Sequence, residues 1–183
     1  MKNKIGLLIV GSALAAFSAQ AQVILSPTAV VANSMGSYAS GTYTPVETIN
    51  HSGLLTDFVS GVTNFDTYLA SNPLHSLLAT TEFFATSGVL SGTIDYDLGA
   101  LFKVDRMAFW DEESWGAKTV SIFGSTVSDF SSIVGFGTFS LVDTPPNPSD
   151  GSTLDYSAQI LTFSQASDVR FIRVTVLDSF PLA

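Results

Sequence analysis

The sequence predicts an all-β protein, an antiparallel sandwich or barrel, and three observations carry that reading. Apolar and polar residues alternate with a period of two in several segments, the mark of strands buried on one face. Ser, Gly, Asn and Pro clusters divide those segments at short intervals, a spacing that favours a sandwich or barrel over β-α-β units. Only 13% of residues are charged, while Gly and Phe each occur 14 times, a balance that favours strands and turns over surface helices.

Taken in order, residues 1–21 read as an export signal. Lys2 and Lys4 precede an apolar core from Ile5 to Phe17, and Ala19-Gln20-Ala21 forms a cleavage site before Gln22. That core is shorter than the ~20 residues that cross a bilayer, so no membrane span is expected. Residues 22–183 suit one domain with a substantial core. Strands are expected at Thr44–Ile49 and Thr80–Phe84, with a turn of helix in NPLHSLLATTEFF, where Leu74, Leu77 and Leu78 fall at helical spacing. Thr93–Leu98 and Phe102–Trp110 follow. In AKTVSIFGS, Val120 and Ile122 share one face, with Thr119, Ser121 and Phe123 on the other. Further strands are expected at Ile133–Leu141 and Leu154–Phe163, separated by the Pro- and Gly-bearing surface loop Val142–Thr153. In VRFIRVTVLD, Ile172, Val174 and Val176 oppose Phe171, Arg173 and Thr175.

A formal charge of −9 repels phosphate backbones, and Lys103, Arg106, Lys118, Arg170 and Arg173 are too scattered to form a basic stripe, so nucleic acid is excluded as a partner. The absence of cysteine excludes disulfides, thiol catalysis and cysteine-held metals. Together with the signal, it fits a bacterial protein that is secreted, whether extracellular or periplasmic.

The ordered set INHSGLLTDFVSGVTNFDTYLAS, GTIDYDLGALFKVDRMAFWDEESWGAKTVSIFGS, SDFSSIVGFGTFSL and QILTFSQASDVRFIRVTV resembles the discoidin-like (coagulation factor 5/8 type C) domains of the galactose-binding-like superfold. The likeness is to exported bacterial versions that often carry a PEP-type C-terminal sorting tail, which is not found here. It covers about residues 46–177, with Asp97-Leu98-Gly99 and Arg170–Val174 as its most specific parts. It implies a jelly-roll β-sandwich in which Asp97-Leu98-Gly99 ends one strand and turns the chain into the next. It also implies a further closing strand beyond LDSFPLA, whose lack would leave a sheet edge open for self-association.

Several residues are candidates for chemistry or binding. Asp95 and Asp97 alternate along one strand, and paired carboxyls serve glycoside hydrolysis. Nothing in the sequence drives their pKa values apart, so a polar face with turn capping is the expected role. The loop SGVTNFDTYLASN occupies the place where the superfold often holds a structural calcium. Asp66, Asn64 and Thr67 are its candidate ligands, against the alternative of an Asx-turn. WDEESWGAK offers Trp115 with Glu112 and Glu113 as a sugar-binding set, an aromatic face beside polar groups, against the alternative that Trp115 packs under the loop, whereas Trp110 is expected in the core. Arg170 and Arg173 are expected to pair at the surface with carboxylates such as Asp105 or Asp168. His51 and His75 lack neighbours at metal spacing. No G-x-S-x-G elbow supports a hydrolase triad, and GFGTF at Gly135–Phe139 is not a phosphate loop.

The function expected from these features is non-catalytic binding of carbohydrate or surface polysaccharide. The alternative is a structural or assembly protein of the cell surface that pairs through an open sheet edge.

Overall fold

A computed structural model of the chain describes residues 22–76, 79–111, 116–142 and 155–180, with the backbone alone at Ser40 and Ala79. Its strands are β1 (Ala29–Asn33), β2 (Leu74–His75), β3 (Gly92–Phe109), β4 (Ala117–Ser125), β5 (Ile133–Ser140), β6 (Tyr156–Ser157) and β7 (Gln159–Ser179), and the α-helix among the described residues is α1 (Phe65–Ala70). All pairings are antiparallel. They build a five-stranded sheet in the order β1-β3-β7-β4-β5 and a separate β2-β6 pair. The all-β antiparallel class predicted by the alternation is the observed one.

The period of two decides which face of the large sheet is apolar. Ile94, Tyr96 and Leu98 of β3, Ile172, Val174 and Val176 of β7, and Val120 and Ile122 of β4 are all buried in one core. Register enforces this, because Ile94 and Ile122 both lie opposite Val174. Phe136, fully buried, stacks on Phe163 with ring centroids 4.3 Å apart and planes 9° from parallel. Each such buried Val, Ile or Phe contributes about 1.5–3 kcal/mol by leaving water. A glycine at position 124 is required by this packing, since a Cβ there would stand 2.6 Å from Val169 Cγ1 and 2.7 Å from the Phe136 ring.

Two pairs of expected strands are single long ones. Thr93–Leu98 and Phe102–Trp110 belong to the 18-residue β3, and the last two expected strands belong largely to the 21-residue β7. The β3–β7 ladder breaks register between Asp97 and Phe102 and again between Val104 and Arg106. Gly99, at φ +86°, sits in the first break and donates its N–H to Asp97 Oδ1 at 2.7 Å. Asp97-Leu98-Gly99 therefore opens a bulge within a strand and not a turn between two: residues 98–101 of β3 stand against Arg170 alone, and the ladder resumes at Phe102. Beyond the breaks, Met107, Phe109, Leu161 and Phe163 still pack into the main core.

The first half of the chain departs most from expectation. Thr44–Ile49 contains a 3₁₀ turn, Pro45–Thr48, which the fixed φ of Pro45 suits at its first position. Thr80–Phe84 is no strand either, with a 3₁₀ turn at Ala79–Thr81. Leu74 lies in β2, and the helical turn is at α1 instead, begun by Asn64, whose side chain accepts the Thr67 N–H. Leu77, Leu78 and most of the loop at 143–154 lie outside the described residues. Strand β1 has no alternating signal strong enough to have been expected; two of its residues are alanine.

Candidate functional site

Apart from β1, the described residues of 22–91 form a layer made mostly of loops, held together by backbone hydrogen bonds within turns and between loops. Ile24 N–H donates to Thr63 O, Gly61 N–H to Ile24 O and Phe65 N–H to Gln22 O, which clips residues 22–24 along 61–65. Held in this way, the layer leaves a cleft of about 1320 Å³ against the apolar face of the sheet. Tyr38, Tyr43, Phe58 and Tyr68 line it from the loops, Ile94 and Tyr96 from the sheet, and Trp110 from the end of β3. Tyr96 is buried, which pushes its phenol up to about 12, and its hydroxyl meets Thr48 Oγ1 at 3.0 Å. Trp110 is half-buried with its indole N–H donated to the Pro73 carbonyl at 3.1 Å. It thus lines the cleft instead of joining the core, where it was expected.

Asp95 and Asp97 are each locked by an arginine. Arg173 Nε and Nη2 donate to the two Asp95 oxygens at 2.7 Å each, and the Asp95 side chain is 5% exposed. The pair is directly cross-strand, and the Arg173 guanidinium also lies 4.1 Å over the Phe130 ring. Arg170 donates in the same two-pronged way to Asp97 at 2.9 and 2.8 Å. This hydrogen bonding, aided by the Gly99 N–H, holds the Asp97 carboxyl below its ordinary range despite some desolvation. The arginines therefore pair with Asp95 and Asp97 rather than with Asp105 or Asp168: β7 lies beside β3 in a register that sets Arg173 opposite Asp95. Two carboxylates so neutralised are not free to exchange protons as an acid and base.

The calcium candidates stand together at the start of α1. Asn64 Oδ1 accepts the Thr67 N–H at 2.8 Å, a helix cap, and Asp66 accepts from Arg106 Nη1 and Nη2 at 2.7 and 3.1 Å. Arg106 also contacts Gln22 and lies 4.3 Å over the Phe65 ring. Calcium prefers six to eight hard oxygens; here the sole acidic ligand candidate is already paired with a cation. As arranged, these residues do not fit a calcium ion, and among the described residues no three His, Asp or Glu side chains gather as a metal cluster.

Trp115, Glu112 and Glu113 lie outside the described residues. The ends of their loop are joined by Asp111, buried at 8% exposure, which accepts the Ala117 N–H at 2.9 Å.

One constellation escaped the sequence. Ser26 Oγ lies 2.7 Å from His51 Nε2, and His51 Nδ1 lies 2.8 Å from Asp57 Oδ1. Ser26 and His51 line the cleft, while Asp57 stands behind on the solvent side with its side chain 69% exposed. Backbone donation from Phe58, then the His51 contact, hold the Asp57 carboxyl low. Ser26 comes from one loop, and His51 and Asp57 from another, with no spacing signature between them; the clip between residues 22–24 and 61–65 and the Ser26 bonds to Ser60 and Ile49 bring the two loops together.

An antiparallel β-protein with a cleft between its sheet and a loop layer is the class that this fold and site define. No family model and no curated protein matches the sequence. Solved structures similar to the chain include CBM32-3 from a family 31 glycoside hydrolase of Clostridium perfringens, at 14% identity and TM-score 0.39, covering 50% of this chain and 57% of that one. Another is chitosan-binding module 1 from a chitosanase/glucanase of Paenibacillus sp. IK-5, at 20% identity and TM-score 0.32, covering 50% and 61%. A structure titled glycoside hydrolase gives 15% identity and TM-score 0.37, covering 56% of this chain and 21% of that one. The chain thus spans less than two thirds of each.

Proposed function

We propose that this is an exported binding module for carbohydrate, of the kind found on extracellular or cell-surface polysaccharide, and that the cleft is where the sugar sits. The observation that carries the reading is the lining of the cleft. Sugar recognition needs flat aromatic faces for the C–H surface of a ring and polar groups for its hydroxyls. Tyr38, Tyr43 and Trp110 supply the former, with Glu47 and Asp105 among the latter. Tyr38 is 50% exposed and its ring lies 5.9 Å from that of Tyr43, so one aromatic step is already open to a ligand. Trp115, Glu112 and Glu113 keep in this reading the sugar-contact role expected of them. Asp95 and Asp97 take no part, each being held by its arginine.

Glycan-array binding by the protein, weakened at least about tenfold by Tyr38→Ala or Trp115→Ala with an unchanged melting temperature, is the expected result; a single hydrophobic contact of about 1–3 kcal/mol accounts for such a loss. Wild-type protein that binds no polysaccharide on the array overturns the reading.

A second reading, assembly through a sheet edge, has its own observation. β1 and β5 are the outer strands of the large sheet, and each shows a large apolar side chain to solvent, Val31 at 47% and Ile133 at 56% exposure. Exposed edges are templates for strand addition. Sedimentation that shows concentration-dependent oligomers, abolished by Ile133→Lys and indifferent to Tyr38→Ala, would favour it over sugar binding.

A further inference from the structure

We propose that Ser26 is a base-activated nucleophile, served by His51 and oriented by Asp57, and that it takes carboxylic esters whose apolar acyl part lies in the cleft. The inference goes beyond binding and stands without it.

The geometry assigns the protons. Asp57 faces Nδ1 of His51, so that nitrogen carries the ring hydrogen and donates it to the carboxylate. Nε2 is then the lone-pair nitrogen and accepts the Ser26 hydroxyl at 2.7 Å, shorter than the 3.2 Å to the competing Ile49 carbonyl. A nucleophile bonded to a base that is itself held by a third group is the arrangement by which serine is activated on unrelated folds. Two further observations concern how His51 is held. His51 holds φ at +63°, a left-handed conformation uncommon for a non-glycine residue and typical of strained functional positions. Its ring is also fixed from the side by Phe58, with centroids 4.2 Å apart. Beside the serine, Ile49, Leu54 and Phe58 give the cleft an apolar wall suited to an acyl chain.

The chemistry balances without any further reagent but water. Ser26 Oγ adds to the ester carbonyl while its proton passes to His51 Nε2. Collapse of the tetrahedral adduct breaks the bond to the alcohol, which leaves with that proton, and Ser26 remains acylated. Water then adds to the acyl-serine, again giving a proton to Nε2. The second collapse returns it to Ser26 and releases the carboxylic acid.

The test is labelling of the full chain with a fluorophosphonate, located by peptide mass spectrometry, beside hydrolysis of p-nitrophenyl butyrate. The expected result is a single adduct on Ser26 of the wild type, absent in Ser26→Ala. Both labelling and ester turnover should fall by at least about a hundredfold in His51→Asn, a substitution that tolerates the left-handed backbone. Asp57→Asn, at an exposed position, should slow labelling while leaving the melting temperature unchanged. No adduct at Ser26 in folded wild type, or an adduct formed equally fast in His51→Asn, overturns the proposal. Glycan-array binding by Ser26→Ala separates the two readings: retained binding with lost labelling leaves the sugar site standing, and lost binding in labelled, folded wild type fails that site alone.

Discussion

The five-stranded sheet and the loop layer of residues 22–91 solve the same problem in opposite ways. The sheet satisfies its backbone by long ladders and buries its charge in matched pairs, such as Asp95 with Arg173, whose side chains are 5% and 30% exposed. The loop layer satisfies its backbone by scattered single bonds within turns and between loops, and its counterpart pair, Asp57 with His51, has side chains 69% and 20% exposed. One carboxylate is sealed between strands; the other stands in water behind a ring that faces the cleft. The lesson is that rigidity comes from the sheet, whereas the residues able to meet a ligand are set by the loops.

Substitutions can sharpen or break this contrast. The largest loss is expected from Phe136→Ala, about 3–5 kcal/mol in urea unfolding, because a fully buried ring stacked on Phe163 leaves a cavity. Arg173→Ala comes next at about 3 kcal/mol, since it strands the buried Asp95 without its partner. Overpacking by Gly124→Ala should cost about 1–3 kcal/mol, as its Cβ meets Val169 and Phe136 inside 3 Å. In the loop layer, Asn64→Ala removes only a cap and should cost about 1 kcal/mol. An Asn64→Ala penalty as large as that of Phe136→Ala would break the distinction between the regions.

The smallest effect expected is in the response to pH, and here the two regions differ in sign. Asp97 of the sheet is held low by its hydrogen bonds from Arg170, so its contribution is complete above the ordinary carboxylate value of 3.8 and is lost as pH falls through the lowered one. Glu82 of the loop layer is raised by burial, only partly offset by the Tyr156 hydroxyl donating to Oε1 at 2.7 Å. Its folded form favours the proton, so its contribution is complete below 4.5 and is lost as pH rises through the raised value. Urea unfolding across pH should therefore show Asp97→Asn narrowing its deficit in acid, and Glu82→Gln gaining on the wild type as pH rises from 4 to 8 or so.

The sheet was legible in the sequence because alternation is a local signal: Val120 and Ile122, or Ile172, Val174 and Val176, announce their face without knowledge of any partner. What alternation does not encode is continuity, which is why Gly99 read as a turn when the ladder in fact absorbs it as a bulge. It does not encode partner choice either, and Arg173 finds Asp95 through a register shared by residues far apart in the chain. The loop layer was less legible. Pro45 bends a segment that looked extended, and Asn64 caps α1 through the Thr67 N–H. Ser26, His51 and Asp57 gave no signal, for no spacing rule joins two loops that meet only after folding.

The placement of β7 has an effect on the order in which this molecule assembles. It lies between β3 and β4, so the two strands that must flank it are made long before it exists, and β3 pairs with residues 50–84 positions later. Contacts of such long sequence separation form slowly, because the chain must close a wide loop before any ladder rewards it. During synthesis the sheet has no centre until residues 159–179 emerge, so β3 and β4 each keep one edge unpaired until then.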